Sequence, residues 1–221
     1  MKLKLYGFEN ELEIKSGINI LSILNKKLYN QFVYLLSNNP IDNGMFDFID
    51  DEFKKLDFAK IGELVSNPYC LNVNDKKYLS ALYKELNMSL IADESRYLEV
   101  VNLVGRLEKQ IEEVSIDMEF DVDTSQNLQD LFKYLGIRLV SNAKNLLDNL
   151  FEYVDIYSRW FPSQVLAFVN ICIVLTKTEI EELDKYAKYN NVKLLMIENV
   201  ELKNVKVNQL IILKDFSDIV V

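Results

Sequence analysis

Residues Glu112 to Asp130 hold seven carboxylates and neither Lys nor Arg. Within them, Ile116 to Asp123 alternates strictly between apolar and acidic residues. In an extended chain successive side chains point to opposite faces. Asp117, Glu119, Asp121 and Asp123 then share one face, with neighbours roughly 7 Å apart. Four like charges in a row repel one another unless water screens them or a cation binds. The chain contains no His, which removes His-based triads, His-assisted proton transfer and most zinc sites. A metal here is therefore a hard cation bound by oxygen. The row is not an EF-hand. With Asp121 at position 1, the required Gly at position 6 is Gln126 and the Glu at position 12 is Phe132. The four alternating acids are the primary metal candidates, and Glu113 and Asp130 are secondary. The competing reading is a solvated acidic edge.

Helices flank this row. Tyr97, Val100, Val104, Leu107, Ile111 and Val114 are spaced 3, 4, 3, 4 and 3, a heptad seam. Leu79, Leu82, Leu86 and Leu90 form an apolar stripe before it. Two such helices joined by a short turn at residues 92–94 are expected to pair as an antiparallel hairpin. The seam suits packing within the chain or between subunits. After the row, Leu128, Leu131, Phe132 and Leu135 give a short helix that ends at Gly136. A short strand is expected over residues 137–140.

Strands gather toward both ends of the chain. Lys2–Leu5 and Glu11–Ile14 alternate as a hairpin, and Ile18–Leu24 suits a buried strand. A helix over residues 28–37 follows and stops at Asn38-Asn39-Pro40. Strand, turn and helix is where a phosphate-binding loop would sit, but Ile23-Leu24-Asn25-Lys26-Lys27 has no Gly to bring backbone amides close to phosphate. Met45–Ile49 reads as a strand, Leu56–Val65 is ambiguous and Asn67-Pro68 is a break. Leu146, Leu147, Leu150, Phe151 and Val154 mark an amphipathic helix. Val165–Val169 reads as a central parallel strand, and it ends in Asn170 where nucleotide-hydrolysing folds place a Mg²⁺-holding acid. Thr176-Lys177-Thr178-Glu179 has the capping-box form and opens a helix with Ile180, Leu183, Tyr186 and Ala187 inward. Residues 192–197 and 209–213 are further strands. The expected fold is α/β, with a discontinuous head of residues 1–58 and 140–221 and an inserted α-helical leg of residues 59–139.

Composition sets the outer bounds. The chain has 221 residues, is 49% hydrophobic and carries a net charge of −9. It can bury a core and stay soluble. Its apolar runs are too short to span a membrane, charges interrupt residues 1–20, and the reading is cytoplasmic. Cys70 and Cys172 lack metal-type spacing and are expected to be reduced and largely buried. The acidic balance disfavours nucleic acid as a whole-chain average, yet basic residues gathered on one surface still bind phosphate.

Several of these segments together resemble a known family. Val165 to Asn170 followed by Leu175-Thr176-Lys177 and Glu179 is similar to its C-terminal signature. Ile116 to Asp121, with Leu128 to Arg138 downstream, is similar to its central acidic segment. The family is the accessory spacer-acquisition protein of type II-A CRISPR systems, the second Csn protein. The likeness extends over essentially the whole chain and is weakest over residues 38–74. Residues 123–127 look longer than is usual in the family. The resemblance implies a head related to P-loop ATPases but without their nucleotide site. It implies a homotetrameric ring around double-stranded DNA ends, with Ca²⁺ holding the legs, serving antiviral defence. It also implies a non-enzymatic role beside the CRISPR integrase complex and the RNA-guided effector nuclease.

For DNA, the residues expected near head–leg junctions are Lys26, Lys27, Lys133, Arg138 and Lys144. Each taken singly also reads as a solvated surface charge. Two other functions compete with the ring. A non-catalytic coiled-coil adaptor would use the heptad seam and bind only protein. A nucleotide-dependent ATPase, suggested by the strand–turn–helix opening and the Val165–Asn170 strand, would turn over ATP with Mg²⁺.

Overall fold

The computed structural model describes residues 1–40, 43–65, 67–114, 128–203, 205–215 and 217–220. In chain order it forms β1 (Lys2–Leu5), β2 (Glu11–Glu13), β3 (Gly17–Ile23), α1 (Lys26–Asn38), β4 (Phe46–Ile49), β5 (Lys55–Leu56), α2 (Phe58–Ile61) and β6 (Gly62–Val65). The helices α3 (Lys76–Ala92), α4 (Glu94–Glu112) and α5 (Leu128–Tyr134) follow. Then come α6 (Leu146–Trp160), β7 (Val165–Val169), α7 (Lys177–Tyr189), β8 (Lys193–Glu198), β9 (Asn208–Ile212) and β10 (Asp218–Val220). They divide into two compact units. The first contains Met1–Leu71 and Asn142–Val221, and the second contains Asn72–Ser141.

The first unit is mixed α/β. Its larger sheet has the order β10-β9-β3-β8-β7-β6. Its neighbours pair in parallel except β10, which runs antiparallel to β9. All seven residues of β3 are buried, as a central parallel strand requires. Its neighbours hold it in register, with Ile20 opposite Met196 and Ser22 opposite Glu198. Leu21, Ile23, Leu195, Ile197, Leu210 and Ile212 pack into one core with Phe32 and Leu36 of α1. Leu3, Leu5, Phe46 and Phe48 of the smaller antiparallel sheet, β2-β1-β4-β5, close that core.

Gly17 opens β3 with a φ of +94°. A Cβ there would lie 2.6 Å from Asp184 Oδ1. That carboxylate accepts the Ile18 N–H at 2.9 Å and the Lys188 ammonium at 2.7 Å. The glycine thus lets α7 approach the strand closely enough for Asp184 to tie it.

Residues 56–65, ambiguous in sequence, contain a short strand end, one helical turn and an edge strand. β6 pairs with β7, Leu64 lying opposite Ala167. Residues 59–71, assigned to the helical leg from the sequence, therefore sit in the first unit. The short apolar run of β6 has no helical period, so its place became definite only once β7 was there to bond it.

The second unit is helical. α3 and α4 pack together, separated by Asp93, whose side chain accepts the Arg96 N–H at 3.2 Å. The Tyr83 hydroxyl donates to the Ile137 carbonyl at 3.0 Å, and its ring lies 6.0 Å from that of Phe132. Residues 137–140 form no strand. Asn74 ties them instead, accepting the Leu139 N–H at 2.8 Å and donating to the Leu139 carbonyl at 3.1 Å. A side-chain amide there replaces the missing sheet partner. Tyr97, Val100 and Val104 of the expected seam are half-buried, but Leu107, Ile111 and Val114 are exposed. Among the described residues no helix is long and apolar enough to cross a membrane.

Candidate functional site

Asp117, Glu119, Asp121 and Asp123 lie outside the described residues. Their two flanking candidates are within them. Glu113 caps the C-terminus of α4, and its carboxylate accepts a bond from Gln110 Nε2 at 3.4 Å. Asp130, in α5, pairs with Lys133 at 2.7 Å. Both partners are exposed, so this bond contributes at most about 1 kcal/mol. Among the described residues no group of three or more His, Cys, Asp or Glu is arranged to hold a metal ion.

The basic candidates fall in both units. Lys26 and Lys27 are exposed in the first turn of α1, and Lys144 is exposed just before α6. Lys133 is engaged by Asp130, and Arg138 is exposed beyond Gly136. Lys26, Lys27 and Lys144 belong to the first unit, while Lys133 and Arg138 belong to the second.

The β3–α1 connection can be judged directly as a phosphate site. Asn25 caps α1, and its side-chain oxygen accepts the Lys27 and Leu28 N–H groups, each at 3.1 Å. Amides that would face an anion at a helix N-terminus are thus already satisfied by the protein. This follows from the Asn side chain, in addition to the missing glycines.

The carboxyl edge of a parallel sheet is where open α/β folds bind ligands. Here β7 and β8 clasp each other at that edge. Asn170 turns left-handed with φ of 52°, and its side-chain oxygen accepts the Asn199 N–H at 3.3 Å. In return Glu198 Oε1 accepts the Cys172 N–H at 2.9 Å. Asn170 therefore serves the turn, as Asn tolerates this backbone region better than most residues.

Glu198 is the residue that the sequence reading missed. It is fully buried, and its second carboxylate oxygen and the buried Tyr29 hydroxyl have no hydrogen-bond partner among the described residues. Burial raises its pKa, against the opposing effect of the Cys172 amide bond. Burial and then the Glu198 charge push Tyr29 up to about 12. Burial, followed by Glu198, raises the Cys172 thiol well above its ordinary value. A thiol so protonated is a poor nucleophile. The available signal was an acid ending the otherwise apolar run Leu194–Ile197, one strand away from the position where an acid was sought. Cys70, expected to be buried, is exposed; it follows the Asn67-Pro68 break and belongs to no strand or helix.

A cavity of about 260 Å³ adjoins β4 and β5. Several of its polar groups are engaged within the protein. Lys55 bonds Asp47 at 2.8 Å and the Tyr6 hydroxyl at 3.0 Å, and Asn39 donates to Asp57 at 2.7 Å.

The family model described as CRISPR-associated protein (Cas_Csn2) matches residues 41–216. The chain belongs to this family. A CRISPR-associated protein Csn2 from Enterococcus faecalis is 25% identical over 134 residues, which cover 60% of this chain and 61% of that protein. A Csn2 from Streptococcus agalactiae is 25% identical over 211 residues, 92% of this chain and 90% of that one. Among solved structures, that of Stu0660 of Streptococcus thermophilus superposes with a TM-score of 0.58 at 12% identity. It covers 100% of this chain and 76% of that chain. That last likeness concerns the fold alone. The sequence resemblance to the second Csn protein thus holds, and with it a place in a CRISPR system.

Proposed function

We propose that this Csn2-family protein is a non-enzymatic, calcium-dependent homotetrameric ring that binds double-stranded DNA ends without sequence specificity during CRISPR spacer acquisition. Family membership carries the reading, since the matched segment includes the acidic row and both flanking helices. The donor set fits Ca²⁺ in kind, being carboxylate oxygens with no imidazole. Asp117, Glu119, Asp121 and Asp123 would hold the ion, with Glu113 and Asp130 at the margin. The Lys133 ammonium competes with a cation for the Asp130 carboxylate. Bound Ca²⁺ would neutralise a repulsion that otherwise splays the carboxylates.

Four subunits would bring a few basic residues each to one inner wall, with Lys26, Lys27, Lys133, Arg138 and Lys144 as contacts. Binding is then independent of sequence and falls steeply with salt. The self-capped α1 and the Asn at the end of β7 support a head that does not hydrolyse nucleotide. Its working partners in this reading are the CRISPR integrase complex and the RNA-guided effector nuclease.

The test compares linear with closed-circular duplex of the same sequence, with calcium and with chelator. Retention of the linear form alone, together with loss of the tetramer in chelator, is the expected result. Equal retention of both topologies refutes threading. Asp121→Ala with Asp123→Ala should weaken tetramer and DNA binding together, and a full-strength tetramer in that variant refutes the metal assignment.

The exposed Leu103, Leu107 and Ile111 of α4 favour a second reading, a protein-only adaptor. It differs in predicting no DNA retention at low salt in any metal condition.

A further inference from the structure

Two buried oxygens at the carboxyl edge of the larger sheet are left without a hydrogen bond. Glu198 is 0% exposed and Tyr29 is 6% exposed. Glu198 Oε1 accepts the Cys172 N–H at 2.9 Å. Glu198 Oε2 and the Tyr29 hydroxyl have no partner among the described residues. Native folds pair such atoms with protein or with ordered water, because a bare buried carboxylate oxygen is costly.

Three elements meet here. The Tyr29 N–H closes the first turn of α1 on the Asn25 carbonyl at 2.9 Å, Cys172 follows β7, and Glu198 ends β8. β3, which leads into α1, lies beside β8, and β8 lies beside β7. After burial itself, the Glu198 charge is the next influence that raises the pKa of both Tyr29 and Cys172, so the three side chains share one neighbourhood. Ser22 lies opposite Glu198 in register and is fully buried, but its oxygen already accepts Gln209 Nε2 at 2.9 Å.

The same surroundings narrow the occupant. No Lys or Arg among the described residues acts on the Glu198 carboxylate. A hard divalent cation takes about six or more oxygen ligands, and among the described residues no group of three or more His, Cys, Asp or Glu is arranged to hold a metal. Water both donates and accepts, and it needs only two to four polar partners.

We propose that one buried water binds between Glu198 Oε2 and the Tyr29 hydroxyl, joining α1 to the clasped ends of β7 and β8. The water accepts the Tyr29 O–H and donates a proton to Glu198 Oε2. Where open α/β folds take a ligand, this chain then keeps an internal solvent molecule. The bridge also ties down the turn of α1 that carries Lys26 and Lys27. It stands whether or not the protein binds DNA.

The test is a high-resolution crystal structure of the protein and of its Tyr29→Phe variant, with chemical denaturation of both. The unaltered protein should show a density peak about 2.7–3.0 Å from both oxygens. Tyr29→Phe should lose or displace that peak and raise the unfolding equilibrium constant about tenfold. Amide exchange in the first turn of α1 and at Cys172 should quicken in the variant. Tm should be equal in NaCl, KCl and NH₄Cl at one ionic strength. A direct bond between Tyr29 and Glu198, or no peak between them, overturns the proposal. So does a Tyr29→Phe variant of equal or higher stability, since removing a truly unpaired hydroxyl relieves the fold. A Tm that follows the identity of the cation assigns the site to an ion and overturns the water.

Discussion

β3 and α4 are both rich in branched apolar residues, yet all seven residues of β3 are buried and none of α4 is. The difference lies in what surrounds each element. β3 has hydrogen-bonded strands on both sides and layers on both faces, so every side chain meets the protein. α4 packs one stripe against α3 and leaves Leu103, Leu107 and Ile111 in solvent, 45–55% exposed. The α/β unit completes its own core, while the helical unit keeps apolar area that another surface can cover. A heptad pattern thus reports that a face seeks a partner and does not say which partner.

Four variants test that contrast. Leu195→Ala, in the fully buried centre of the larger sheet, should cost about 2–5 kcal/mol in chemical denaturation. A cost below about 1 kcal/mol would mean that this core is looser than its burial indicates.

Glu198→Gln acts at the buried edge of the same sheet and should change the pH dependence of stability. The folded-state pKa of Glu198 is raised from its ordinary value of 4.5, chiefly by burial. In that window the folded protein holds more protons than the unfolded chain. The native state therefore loses stability as pH rises from about 4.5 through the folded-state value. The Gln variant lacks this loss, so its Tm advantage should grow with pH and vanish in acid. A Tm difference independent of pH would contradict the assignment.

Thr176→Ala removes the capping box of α7, in which Thr176 Oγ1 accepts the Glu179 N–H at 3.2 Å and the Glu179 carboxylate accepts the Thr176 N–H at 2.7 Å. The expected cost is about 1 kcal/mol. The smallest effect belongs to Leu107→Ser with Ile111→Ser on α4. The isolated subunit should change by about 0.5 kcal/mol or less, as surface positions do. Sedimentation should show weaker self-association at the same time. A large loss of subunit stability would show that the α4 face is packed within the chain.

The legible parts of this fold were those with a local signature. The β1–β2 hairpin, α1 with its stop at Asn38-Asn39-Pro40, the α7 capping box and the apolar runs of β7, β8 and β9 each carry a period or a cap within a few residues. β6 and β10 escaped because short edge strands take their conformation from a neighbour's hydrogen bonds. Residues 137–140 were misread because apolar alternation without a pairing partner does not make a strand. The exposure of Cys70 and the engagement of Asp130 by Lys133 likewise depended on what lay nearby in space.

By itself the sequence determined the absence of any imidazole ligand, the absence of a glycine phosphate loop, the helical period of the middle third and the membership that its combined segments announce. Those properties depend on residue type and spacing. Only the tertiary structure decided that Asn25 consumes the amides of α1, that Asn170 and Glu198 clasp the ends of β7 and β8 and that half of the α4 seam faces water. Burial, desolvation and hydrogen-bond satisfaction are relations between residues distant in the chain, and no local pattern encodes them.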